Sequence, residues 1–174
     1  MKKVILLGFF AICLSFSACK NPKTTKKYQL NITLTERHPH CGGVAIPSDK
    51  DKAPTPSKNA TYILKKGSQN KEDLDQLQEL KTDENGQISL QLPKGQYCLI
   101  KAYKNQSFEG FYEQFKTPHD RFFKVKDKAC FENWYQQCDL SFEVDQDTSI
   151  SHTFNFHCFI GDHPCMEYKG PVPP

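Results

Sequence analysis

The chain lacks an apolar run of the roughly 20 residues that a membrane-spanning helix requires. Its one continuous apolar stretch, Val4–Phe16, falls short of that length and is interrupted by Gly8 and Ser15. It also lacks a glycine-rich phosphate loop, a dinucleotide fingerprint, a nucleophile elbow and a metalloprotease helix, and no acid–base pair takes their place. A non-catalytic role is therefore expected, with no cofactor. Charge of one sign is missing too: 23 Lys and Arg stand against 20 Asp and Glu, a net charge of +3. That balance carries no electrostatic footprint for nucleic acid. There is no internal repeat, no alternation of strands with helices and no long amphipathic helix, which argues against solenoids, doubly wound sheets and bundles.

What is present begins with an address. Lys2 and Lys3 precede the apolar stretch, which ends at Ser17-Ala18-Cys19. This is the three-part layout of an export signal. Cys19 after two small residues resembles the lipobox of bacterial lipoproteins, with Phe16 standing where Leu is commonest. Residues 20–27 hold four lysines and a proline, as a flexible tether would. The expected organisation is a signal peptide over 1–18, a tether over 19–27 anchored through lipidated Cys19, and one domain over 28–174. An ordinary secretory signal cut after Ala18 is the alternative. Cys13 fits a lipobox less well, because Ala11-Ile12 precede it inside the apolar stretch. The expected location is the cell envelope, as an outer-membrane lipoprotein held to the membrane by its acyl chains.

Cleavage before Cys19 leaves 21 basic against 20 acidic residues, a near-neutral domain of about 155 residues. It also sets aside Cys13 and reserves Cys19. Six cysteines remain: Cys41, Cys98, Cys130, Cys138, Cys158 and Cys165. An even number in an exported chain reads as a disulfide framework, and six cysteines allow 15 pairings. Short loops favour Cys130–Cys138 and Cys158–Cys165, leaving Cys41–Cys98. A rival scheme joins the ends of the domain through Cys41–Cys165.

Strand signals recur along the domain. Tyr28, Leu30, Ile32 and Leu34 alternate with polar residues, as a half-buried strand requires. Residues 47–59, with three prolines, three lysines and two aspartates, read as an exposed loop. Thr61–Lys65 is a second strand. Lys71–Leu80 is charged, with Leu74, Leu77 and Leu80 three apart, and reads as a loop with one helical turn. Asp83-Glu84-Asn85-Gly86 is a tight turn. Ile88, Leu90 and Leu92 then alternate, Pro93-Lys94-Gly95 turns the chain, and Tyr97–Tyr103 returns. An aromatic tract follows: Phe108, Phe111, Tyr112, Phe115, Phe122 and Phe123, then Phe131, Trp134 and Tyr135. Leu140-Phe142-Val144 and Ile150–Cys158 are the last strands, before a proline-rich tail at 170–174. About seven short strands between turns predict an all-β, disulfide-stapled sandwich of immunoglobulin-like type.

The hairpin from Thr82-Asp83-Glu84-Asn85-Gly86 through Leu92-Pro93-Lys94-Gly95-Gln96-Tyr97 resembles the carboxypeptidase regulatory-like domain. The resemblance rests on a T-D-x-x-G turn, an alternating strand, and an L-x-x-G-x-Y step into the next strand. It covers about 20 of the 174 residues, with weaker support from the strands at 28–35 and 61–65. It implies a prealbumin-like (transthyretin-like) sandwich acting as an accessory or binding module. The six cysteines do not belong to the general pattern, and no zinc carboxypeptidase ligand spacing is present.

Two groups of residues are candidate sites. His38-Pro39-His40-Cys41 and His163-Pro164-Cys165 combine imidazole and thiol, ligands suited to zinc or copper. A Cys41–Cys165 bridge would bring His38, His40 and His163 together; the bland alternative makes the cysteines structural and the histidines solvated. Trp134 and Tyr135, bracketed by Cys130 and Cys138, are candidates for an exposed platform that stacks on a sugar or peptide, or else they cover a core. The expected partners are therefore the membrane and an envelope protein or glycan. Asp83–Gly86 lacks the alternating acids of a calcium loop, and Glu72, Asp73, Asp75 and Glu79 read as a solvated face.

Overall fold

The computed structural model describes residues 25–42, 53–73, 76–117 and 121–171. Residues 1–24, which contain the export signal, Cys13, Cys19 and most of the tether, lie outside the described residues, as do Leu74, Asp75, the start of the proline-rich loop and residues 172–174.

Two four-stranded sheets face each other. The first is built on β1 (Lys27–Arg37), whose one edge pairs antiparallel with β5 (Gln87–Pro93) and with the short β2 (Thr55–Pro56). Its other edge pairs parallel with β9 (Thr148–Asn155), in register from Leu30↔Thr148 to Arg37↔Asn155. The second sheet runs in the order β4 (Gln76–Lys81), β3 (Thr61–Lys66), β6 (Gly95–Lys101) and β8 (Leu140–Val144), all antiparallel. Leu30, Ile32 and Leu34 from the first sheet meet Tyr62, Leu64, Tyr97, Leu99 and Val144 from the second in one buried core. The all-β sandwich expected from the alternation is therefore what forms. Period-two patterning makes this possible, because every second side chain of β1 faces the opposite sheet.

β3 and β6 are buried on both faces. Tyr62 and Leu64 point into the sandwich, while Ile63, Cys98 and Ile100 form a second cluster with Cys138 on the reverse side. The hairpin turn behaves as its residues demand: Asp83 Oδ1 accepts the Asn85 and Gln87 backbone N–H groups at 2.8 and 2.7 Å. Gly86 adopts φ +73°, and a Cβ there would collide with the Leu34 carbonyl oxygen.

The structure departs from the sequence expectation in several segments: Thr55–Pro56 pair with β1 inside the expected 47–59 loop, and β9 ends at Asn155, short of Cys158. Residues 76–81 form the edge strand β4, not a loop with a helical turn. Only Leu80 of that strand is buried while Leu77 is 48% exposed, so it has almost no alternation to detect. β6 ends at Lys101, and Ala102–Lys104 close a 3-10 turn in place of the last strand residues. The aromatic tract folds into two helices, α1 (Phe108–Phe115) and α2 (Lys128–Gln136), and between them β7 (Phe123–Val125) pairs antiparallel with the distant β10 (Met166–Tyr168). Ser107 and Asp127 cap the helices by accepting the Gly110 and Cys130 N–H groups. Among the described residues, no helix is long and apolar enough to cross a membrane.

The six cysteines pair as Cys41–Cys158, Cys98–Cys138 and Cys130–Cys165. None of the expected pairs, Cys130–Cys138, Cys158–Cys165, Cys41–Cys98 or Cys41–Cys165, forms. Cys130 sits in the first turn of α2 and Cys138 beyond its end. At 1.5 Å rise per residue they stand about 12 Å apart, past the roughly 7 Å limit for a bridge. Cys41 and Cys158 follow the parallel strands β1 and β9, whose register ends at Arg37↔Asn155, and their Cα atoms are 5.2 Å apart. Cys138 lies two residues before β8, the strand that pairs with Cys98 on β6.

Candidate functional site

The three histidines proposed as ligands are not gathered by the bridge expected to gather them, since Cys41 pairs with Cys158. His38 stacks on Phe156 at 4.3 Å and lies 3.2 Å from a Glu36 carboxylate oxygen. His40 is exposed beside Cys41. His163 instead packs against Phe115, Trp134 and Tyr103, with ring centroids at 4.9, 5.3 and 6.3 Å. Among the described residues, no group of three or more His, Cys, Asp or Glu side chains is placed to hold a metal ion.

Trp134 and Tyr135 are 6% and 3% exposed, so they form a core and not a platform. With Phe111, Phe131 and Cys165 they make a buried aromatic cluster, and Tyr103, Phe108, Tyr112 and Phe115 pack against it. The helical spacing was legible: Phe108, Phe111, Tyr112 and Phe115 stand at i, i+3, i+4 and i+7, and Phe131, Trp134 and Tyr135 at i, i+3 and i+4. That pattern turns one face of each helix inward, and the opposite face of α2 outward.

An ionic cluster closes one side of this aromatic core. Asp162 takes an ion pair from Lys101, accepts the Tyr103 hydroxyl at 3.2 Å and lies 3.5 Å from His163 Nε2. Burial works to raise the Asp162 pKa, but the hydrogen bond and charge of Lys101 hold it below the ordinary carboxylate value. Burial pushes the Tyr103 hydroxyl far up, with the negative charge of Asp162 adding to the effect. His163 is lowered, chiefly by burial, so its imidazole is neutral near pH 7. Beside it opens a recess of about 290 Å³ walled largely by Phe115, Phe123, Phe159, Ile160 and Met166. Phe159 sits at the wall with φ +66°, an unusual conformation for a bulky residue, and stacks on Tyr168 at 4.2 Å. Among the described residues, no serine, threonine or cysteine side chain hydrogen-bonds to His163.

The outward face of α2 borders a different surface. A depression of about 460 Å³ lies between residues 68–69 after β3, the end of α2 and the start of β8. Its polar lining is Ser68, Gln69, Asn133, Gln136, Gln137 and Ser141, and Cys138 lines it too. A second depression of about 400 Å³ shares Gln136 with it and is walled by Asn70, Lys71, Glu72, Phe108, Glu132 and Tyr135. The loop between them is tied down from below. Asn70 is fully buried, donates from its carboxamide to the Tyr135 carbonyl at 2.9 Å, and accepts from Lys65 Nζ at 2.9 Å. Its backbone N–H donates to the Gln136 carbonyl at 2.8 Å. Lys65 is itself buried, and that burial lowers its pKa. The sequence offered one signal for this surface, the run of amides Asn133, Gln136 and Gln137 opposite the aromatic face of α2.

No protein-family model matches the chain, and no curated protein matches it by sequence. Solved structures do resemble it. The minor pilin GBS52 of Streptococcus agalactiae has a TM-score of 0.37 at 12% identity, covering 75% of this chain and 44% of the pilin. The N-terminal domain of the shaft pilin SpaA of Lactobacillus rhamnosus GG has a TM-score of 0.40 at 8% identity, covering 74% of this chain and 92% of that domain. An (S)-allantoin synthase has a TM-score of 0.35 at 13% identity, covering 75% of this chain and 42% of the synthase. The chain thus spans less than half the length of the minor pilin and of the synthase.

Proposed function

We propose that the chain is an exported, non-catalytic accessory module of the bacterial cell envelope, anchored by lipid on Cys19, that binds or braces envelope components. The observation that carries this reading is the use of cysteine. All six cysteines of the domain are consumed in three bridges that span 117, 40 and 35 residues. Such bridges persist in an oxidising compartment. With those six paired and Cys13 inside the apolar leader, Cys19 is the remaining thiol, placed after Ser17-Ala18 where a lipoprotein signal peptidase would cut. The reading extends to the outer membrane as its site and to an envelope protein or glycan as its partner.

The test is metabolic labelling of the full chain with a palmitate analogue in a Gram-negative host. Labelled protein should sediment with membranes, and Cys19→Ala should abolish the label and release the domain. Intact-mass measurement finding an unmodified Cys19, free or in a disulfide, would remove the anchor.

A further inference from the structure

We propose that the depression between the 68–69 segment, α2 and β8 is a binding site for a neutral pyranose oligosaccharide. The proposal rests on the accessory-module reading and names its ligand class. Four carboxamides and two hydroxyls converge on one concave surface: Gln69, Asn133, Gln136 and Gln137 with Ser68 and Ser141. None of these six side chains has a hydrogen-bond or ionic partner among the described residues. Their donors and acceptors are therefore free to exchange water for ligand.

The chemistry of the lining selects among ligands. A carboxamide offers an acceptor oxygen and two N–H donors in one plane. Neighbouring sugar hydroxyls, each both donor and acceptor, can use both ends at once. An ionic ligand would meet no counter-charge among the six residues. An apolar one would strand their polar groups, at a cost of about 1–3 kcal/mol for each left unsatisfied. The adjoining depression continues the surface through Gln136 and adds the half-buried Phe108 as an apolar wall for the C–H face of a sugar ring. Each depression lies within the roughly 300–1,000 Å³ span of small-ligand sites.

The surface is also pre-formed. Residues 68–70 are held to α2 by the buried Asn70 side chain and by its backbone bond to Gln136. Cys138, which also lines the depression, is bonded to Cys98 of the central strand β6. Fixing in advance the backbone that carries the lining lowers the ordering cost of binding, while the exposed carboxamides order with the ligand. An extended peptide added to β8, the last strand of its sheet, is the competing occupant. The lining disfavours it, since strand addition draws specificity from pockets for alternate side chains and these six residues provide none that is apolar.

The experiment titrates the whole, oxidised, detergent-extracted chain, labelled with 15N, with maltohexaose, cellohexaose and mannohexaose, each to about 10 mM, where a millimolar Kd saturates. With at least one of them, the carboxamide NH₂ signals of Gln69, Asn133, Gln136 and Gln137 should shift saturably. The double variant Asn133→Ala, Gln136→Ala should raise the Kd at least about tenfold, the effect of losing roughly 1.4 kcal/mol. Gln136→Glu, which keeps the size and adds charge, should do likewise, and both variants should leave the signals of the aromatic core in place. Absence of carboxamide shifts with all three sugars would overturn the proposal. So would shifts of the Leu140–Val144 backbone amides with an alternating Thr-Val hexapeptide and none with sugar. Neither result bears on palmitate labelling, so the anchor and the ligand stand or fall separately.

Discussion

Replacing Lys104 by methionine removes a cation that the fold has withdrawn from water. Lys104 is 1% exposed, its Nζ lies 2.9 Å from Asp139 Oδ1, donates to the Gln137 carbonyl at 3.2 Å, and sits 5.5 Å from the Trp134 ring centroid. At 2.9 Å and an effective dielectric of about 20, the Coulomb attraction is about 6 kcal/mol, and withdrawal of both charges from water offsets most of it. The net worth of the intact pair is therefore small, but breaking it is costly. Methionine conserves the volume and leaves the Asp139 carboxylate and the Gln137 carbonyl facing no cation. The expected loss is roughly 3–5 kcal/mol, a large part of the 5–15 kcal/mol total of an ordinary domain. Adding Asp139→Leu removes the stranded charge, so the double variant should recover much of that loss. It should not recover all of it, because Asp139 Oδ2 also accepts the Lys101 N–H at 2.7 Å. That unmade bond should cost about 1–3 kcal/mol. Urea unfolding of the disulfide-intact protein, followed by far-UV circular dichroism and by the fluorescence of Trp134, measures all four corners of the cycle. A Lys104→Met variant within about 1 kcal/mol of the parent, or strictly additive single effects, would refute the reasoning.

Three further outcomes are expected. Non-reducing proteolysis with mass spectrometry should recover peptides joined as Cys41–Cys158, Cys98–Cys138 and Cys130–Cys165; a Cys130–Cys138 peptide would contradict the helix that separates them. Gly86→Ala should destabilise the domain by at least about 2 kcal/mol in the same unfolding assay, because φ +73° is strained for alanine and its Cβ would collide with the Leu34 carbonyl. A loss under about 0.5 kcal/mol would show that the turn relaxes freely. Stability should fall on mild acidification: burial depresses His163 below 6.5 in the folded state, so the unfolded chain takes up the proton first as pH drops through that value. His152 is lowered in the same direction, also mainly by burial. His163→Gln should therefore flatten part of the decline in Tm between about pH 7 and pH 5, and an unchanged decline would assign it elsewhere. Asp162, also depressed, contributes stability above the unfolded carboxylate value and loses it only in stronger acid.

How much of this was legible in the chain depends on whether the cause was local. Alternation of Tyr28, Leu30, Ile32 and Leu34 determined β1 and its buried face, because side-chain direction in a strand has period two. Asn85-Gly86 determined its turn, because the backbone conformation there excludes a Cβ. The helical spacing of Phe108–Phe115 and Phe131–Tyr135 was also present, though masked by the β-like weight of so many aromatics. The polar edge strand β4 was not legible, since its stability comes from hydrogen bonds to β3 and not from buried side chains.

The candidate sites divide in the same way. An even six cysteines could be counted, but their partners were decided by the parallel register of β1 with β9 and by the length of α2. His163 could be singled out, yet only packing placed it among rings beside Asp162 instead of with His38 and His40. Trp134 and Tyr135 could be singled out, yet packing turned both to the buried face of α2. The amides that line the groove gain meaning only because Asn70 pins a distant loop against them. Sequence by itself determined the strands, the turns and the cysteine complement, each set within a few residues by backbone geometry and side-chain period. Tertiary structure decided the pairings and the surfaces, because both join residues far apart in the chain whose proximity no local rule encodes.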